Sequence, residues 1–97
     1  MILSFADQGT EDIYHGEMTR KSRATCPQDL WDVARRKLDQ IHWSRELDSL
    51  RIPPGNRLEM LQGDRAGQHS VRINQRYRIC FRWVDDGAEN VEIVDYH

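Results

Sequence analysis

No stretch of this sequence is apolar for long enough to cross a bilayer, and its opening MILSFADQGT holds only a brief apolar run without a basic leader. It reads as neither a membrane span nor a signal peptide, so a cytoplasmic location without a membrane partner is the expectation. Cysteine is scarce as well. Without a secretory signal, Cys26 and Cys80 are expected to be free thiols, and no Cys/His spacing resembles a zinc site. Neither a metal nor another cofactor is implied. A P-loop and a Ser/His/Asp set are also missing, and His15, His42 and His69 stand apart in the pattern, so none of the three is given a role.

Lysine is almost absent, since 12 of the 14 basic residues are arginine. Arginine has the planar fork that suits phosphate and the flat face that stacks on bases. The net charge of −2 hides a strong segregation. From Arg51 to Trp83 seven arginines meet two acids, whereas Val84 to His97 holds five acids and no Lys or Arg. A charge run alone more often marks a solvated surface than a ligand site, so these arginines need a geometric reason to be read otherwise.

At 97 residues, with 38% apolar and 31% charged residues, the chain is expected to fold as one domain with a small core. ILSF reads as a short strand, and TEDIYHGE as a short helix capped by Thr10. TCPQ offers Thr25 as an N-cap with Gln28 three residues on, and Leu30, Ala34, Leu38 and Ile41 then recur on one helical face. Trp31 and Trp43 read as core. IPPGN cannot continue a helix, and after Asn56 the apolar period changes to two. Three strands follow, around Leu58 and Met60, Val71 and Ile73, and Tyr77 to Trp83, with NVEIVDY as a fourth. Gly63, Gly67 and Asn74 suit positive φ in the turns. The expected fold is α+β: two N-terminal helices packed on one face of a twisted, mainly antiparallel sheet.

Strict alternation sorts the strands into two faces. The covered one would hold Leu58, Met60, Val71, Ile73, Tyr77, Ile79, Phe81, Val91 and Ile93; the open one Arg57, Glu59, Arg72, Arg78, Cys80, Arg82, Glu92 and Tyr96. Asp95 falls on the covered side, where it either bonds a helix end or lies past the regular strand. An Arg-lined sheet face with an aromatic suits single-stranded RNA. Cleavage of RNA by its own 2′-OH needs a proton acceptor, a proton donor for the leaving 5′-oxygen, and positive charge beside the phosphorane. Glu59 is a candidate base, His97 can act as acid or base, and Arg72 and Arg78 can supply the charge. The carboxylate carried by His97 itself favours the imidazolium and hence the acid role.

The ordered series PPGNRLEMLQGDRAGQHSVRINQRYRICFRW, followed by VEIVDYH, closely resembles the HigB-type toxins of bacterial toxin–antitoxin modules, within the RelE/ParE superfamily. The resemblance implies a metal-independent, ribosome-dependent endoribonuclease that enters the A site and cuts mRNA. It also implies a HigA-type helix-turn-helix antitoxin that neutralises the toxin and, in complex with it, binds operator DNA. Carried over by position, Asp95, Tyr96 and His97 match the family's terminal catalytic motif, and Arg78 the strand arginine near the scissile phosphate. Arg72 joins Arg57, Arg65 and Arg82 as RNA-binding residues. Several relatives have His and Lys where this chain has Glu59 and Gln62, which leaves the identity of the base open. Two other readings stand beside cleavage: a ParE-like poison of DNA gyrase, and a weakened toxin that chiefly binds its antitoxin. The terminal D-Y-H together with Arg78 favours cleavage.

Overall fold

In the computed structural model, which describes residues 1–96, the helical half begins with α1 (Gln8–Tyr14). Its cap is Asp7 rather than Thr10: the Asp7 carboxylate accepts from the Thr10 amide at 2.7 Å. Thr10 is fully buried instead, and its hydroxyl accepts from the Ile93 amide, tying the first helix to the last strand. The basic segment after Met18 forms a further helix, α2 (Arg20–Thr25), whose Thr19 and Ser22 cap each other reciprocally. Thr25 therefore ends a helix and does not open one; its hydroxyl donates to the Lys21 carbonyl. Three helices stand where the sequence suggested two, because six residues are too few for an apolar period to declare itself. The third, α3 (Trp31–Trp43), is entered through a 3-10 turn at Gln28–Leu30 and buries Ala34, Leu38 and Ile41.

The sheet consists of β1 (Glu59–Met60), β2 (His69–Arg72), β3 (Tyr77–Val84) and β4 (Gly87–Asp95), antiparallel and in chain order. ILSF is not a full strand: it runs beside β4 through two isolated parallel bridges, Ile2 with Ala88 and Phe5 with Val91. The Ile2 amide donates to Nδ1 of His42 at 3.1 Å. Register shifts along the β3–β4 pair, where Cys80 faces Glu92 but Arg82 faces Glu89, so β4 carries one extra residue. Asn90, at φ +54, lies within this bulge. The shift reverses the alternation, so Ala88 before it and Val91 and Ile93 after it are all buried in one core with Leu38, Ile41, Ile79 and Phe81.

Strict alternation fails elsewhere too. Met60 is 70% exposed, because β1 is only two residues long and Leu61 takes the buried place beyond it. Trp43, at the end of α3, is 73% exposed, whereas Trp31 is partly buried with its indole donating to the Cys26 carbonyl. Gly63 and Gly67 have the expected positive φ, but Asn74 does not. Its side-chain oxygen makes the turn, accepting from the amides of Arg76 and Tyr77.

His69 pairs with Phe81 on the core face, the rings stacked at 6.3 Å, and its Nδ1 is buried without a hydrogen-bond partner among the described residues. Burial, with Arg51 adding to it, holds the pKa of this ring below 6.5. The fold thus prefers the neutral ring: its contribution to stability is present above the unfolded value and is lost as pH falls through the folded one. Urea midpoints are expected to drop between about pH 7.5 and about pH 5, and His69→Phe to shrink that drop. An undiminished drop in the variant would remove His69 from the acid response.

Candidate active site

On the face opposite the helices, directly paired residues form rows. Glu59, Ser70, Cys80 and Glu92 make one row, and Arg72, Arg78 and Val94 the next. Arg72 and Arg78 face each other across β2 and β3, a like-charge pair that opposed partners draw apart. Arg72 donates from Nε to the Asn74 carbonyl at 3.0 Å. Arg78 instead donates from Nε to Ser70 Oγ and from Nη2 to the Arg57 carbonyl, each at 2.7 Å. Its side chain is only 11% exposed, and Glu59 Oε2 lies 3.8 Å from Nη2.

The Arg57 carbonyl reaches Arg78 because Arg57 itself is left-handed, at φ +46, following a 3-10 turn at Pro54–Asn56. That turn is anchored by the buried Asn56. Its Nδ2 donates to Gln40 Oε1 at 2.9 Å and to the Leu50 carbonyl at 3.1 Å, and its Oδ1 accepts from Lys37 Nζ. A bonded chain therefore runs from α3 through Asn56 and the Arg57 peptide to the Arg78 guanidinium. Hydrogen bonding on two sides sets the direction of that fork as well as its position.

A second group surrounds the turn at residues 63–68. Arg65 Nη1 lies 3.3 Å from Glu92 Oε1 and 3.1 Å from Gln68 Oε1. Gly67, at φ +90, packs so closely against Arg82 that a Cβ there would sit 2.8 Å from Nη1. Cys80, expected on an open face, is fully enclosed. Burial pushes its thiol pKa up, with the charges of Arg65, Glu92 and Arg78 as smaller influences of mixed sign.

The structure thus joins Arg57, Glu59 and Arg78 directly and sets Arg72 in the row with Arg78, while Arg65 and Arg82 flank the neighbouring turn. Asp95 neither caps a helix nor lies past the strand. As the last residue of β4 it pairs with Tyr77, and its carboxylate accepts from Arg76 Nε and Nη2, both at 2.8 Å. Tyr96 follows, partly exposed, its amide donating to the Arg76 carbonyl. His97 lies outside the described residues. Ser70, Asn56 and Arg76 carry none of the roles read from the sequence. Alternation alone places Ser70 beside Arg72; nothing in the pattern singles out the other two. The site is an open face, and a groove of about 580 Å³ lies elsewhere, lined by Tyr14, Asp32, Arg35, Arg36 and Asp39.

Residues 3–97 match the family described as RelE-like toxin of type II toxin-antitoxin system HigB. The chain belongs to that family. Toxin HigB-1 of Vibrio cholerae serotype O1 is 38% identical over 90 residues, covering 93% of this chain and 92% of that one. An uncharacterized protein of Haemophilus influenzae is 35% identical over 70 residues, covering 72% and 69%. The YoeB-YefM complex from Staphylococcus aureus contains a chain with the same fold, at a TM-score of 0.55 and 20% identity over 100% of this chain and 95% of that one. Endoribonuclease action on mRNA is typical of HigB-like toxins, and the partner of such a toxin is an antitoxin. No helix among the described residues is long and apolar enough to cross a membrane.

Proposed function

We propose that this HigB-like chain is a metal-independent endoribonuclease that cuts mRNA on the ribosome, in the A site. The observation that carries the reading is the Arg78 guanidinium, fixed by Ser70 Oγ and the Arg57 carbonyl beside a half-exposed Glu59. A cation held in place before reaction stabilises charge developing on a phosphorane without reorganising. Glu59 takes the 2′-OH proton as that oxygen bonds to phosphorus. His97 gives a proton to the 5′-oxygen as the P–O5′ bond breaks, leaving a 2′,3′-cyclic phosphate and a free 5′-OH. Arg72 shares the phosphate charge, Arg57, Arg65 and Arg82 hold the flanking backbone, and Tyr96 offers a ring for a base. Asp95 belongs to the same terminal motif. An open face orders a flexible substrate poorly, and the ribosome supplies that ordering. A HigA-type helix-turn-helix antitoxin neutralises the toxin, and the complex of the two binds operator DNA.

The test is a map of RNA 5′ ends after a brief pulse of the protein in a bacterial host, comparing a translated reporter with the same transcript lacking its start codon. Cuts confined to the translated copy are expected. Growth arrest without new ends would redirect the reading to gyrase; neither arrest nor ends would leave antitoxin binding as the role.

A further inference from the structure

The end of β4 is held by Arg76, in the turn between β2 and β3. Besides the two 2.8 Å bonds from its guanidinium to Asp95, its carbonyl accepts from the Tyr96 amide at 2.6 Å. The guanidinium also lies 5.8 Å from the centre of the Tyr77 ring. The turn is itself rigidly made: Asn74 Oδ1 accepts from the Arg76 and Tyr77 amides, while the Ile73 and Asn74 amides both donate to the Tyr77 carbonyl. The same turn supplies the carbonyl that Arg72 bonds. One short connection therefore touches the arginine row on one side and the end of β4 on the other.

Strand ends fray unless something ties them. A bidentate Arg–carboxylate pair restrains direction as well as distance, and the Tyr96 bond adds a third point. The pair is exposed, so its value to overall stability is small and salt-sensitive. Its effect is on where the chain leaves the sheet.

We propose that Arg76 is a positioning residue: by clasping Asp95 and Tyr96 it fixes the end of β4 beside the Arg72–Arg78 row. This rests on the reading of His97 as proton donor, and it gives Asp95 a role through Arg76 instead of on the RNA. Arg76 itself is given no contact with the RNA, so its loss is expected to lower the rate of the chemical step and to leave ribosome binding unchanged.

Two readouts on the full-length protein decide it: single-turnover cleavage of mRNA on programmed ribosomes, and the heteronuclear NOE of the Tyr96 amide. Arg76→Ala is expected to lower the Tyr96 NOE and to slow cleavage by about 10- to 100-fold at saturating ribosome, with the half-saturating concentration unchanged. Arg76→Lys keeps the charge but loses the fork and recovers only part. The exchanged pair, Arg76→Asp with Asp95→Arg, is expected to recover the NOE and most of the rate. An unchanged NOE in Arg76→Ala overturns the clasp. Recovery of the NOE without the rate in the exchanged pair overturns it as well, because Asp95 would then act on the RNA itself. Failure of the wild type to cleave sinks the ribonuclease reading alone, and the NOE comparison still decides whether Arg76 orders the strand end.

Discussion

Replacing Arg78 by alanine is expected to lower single-turnover mRNA cleavage about 10²- to 10³-fold at saturating ribosome, the scale on which one preorganised charge contact contributes. Arg78 has both a buried side-chain acceptor and a backbone acceptor behind it. Arg78→Lys is expected to recover little, since an ammonium offers no second fork arm once it faces the phosphate. Ser70→Ala separates charge from orientation. It keeps the cation but strands a buried N–H, at a cost of about 1–3 kcal/mol, and lets the guanidinium turn. Its rate is expected between those of the wild type and Arg78→Ala, with antitoxin binding retained as proof of folding. Wild-type cleavage by Arg78→Ala would sink the proposed mechanism.

The largest stability effect is expected at Asn56. Asn56→Ala removes one side chain that serves Lys37, Gln40 and the Leu50 carbonyl at once. The Leu50 carbonyl then faces a buried space with no partner, while Lys37 and Gln40 each lose a part-buried one, and a loss of about 2–4 kcal/mol is expected. Asn56→Asp can still receive Lys37 but cannot donate to the carbonyl, so it is expected to fall between. Denaturant midpoints at constant m-value measure both. A change in Asn56→Ala below about 0.5 kcal/mol would show that the network is replaced by water. Because the next peptide carbonyl holds Arg78, the surviving folded fraction of Asn56→Ala is also expected to cleave slowly.

The arginine face was legible because β2 and β3 keep a period of two over most of their length, which places Arg72, Arg78 and Arg82 together on one face. Alternation misled where the backbone departs from it. Two-residue β1 exposes Met60, and the bulge near Asn90 lets β4 begin three residues earlier than its apolar pattern implied. It was silent about what lies above a face, so the full burial of Cys80, within reach of the charges of Arg65 and Glu92, left no sign in the pattern. Contacts made by side chains across distant turns, Arg76 with Asp95 or Asn56 with Lys37, leave no periodic trace at all. The terminal motif was read from family likeness, and its first residue turned out to be engaged at the strand edge.

Ile2 lies beside Ala88 and Phe5 beside Val91, and Thr10 bonds to Ile93. The first ten residues thus find their partners in β4, the last strand in chain order. Such long sequence separations are closed late, after their loop entropy has been overcome. On the ribosome that makes it, the emerging chain has its helices and the β2–β3 side of the sheet before it has the strand that closes them, so the sheet that carries the arginine row is completed only once β4 is free to pair. Folding order, as much as any partner, then delays the moment at which a new copy of this toxin can act.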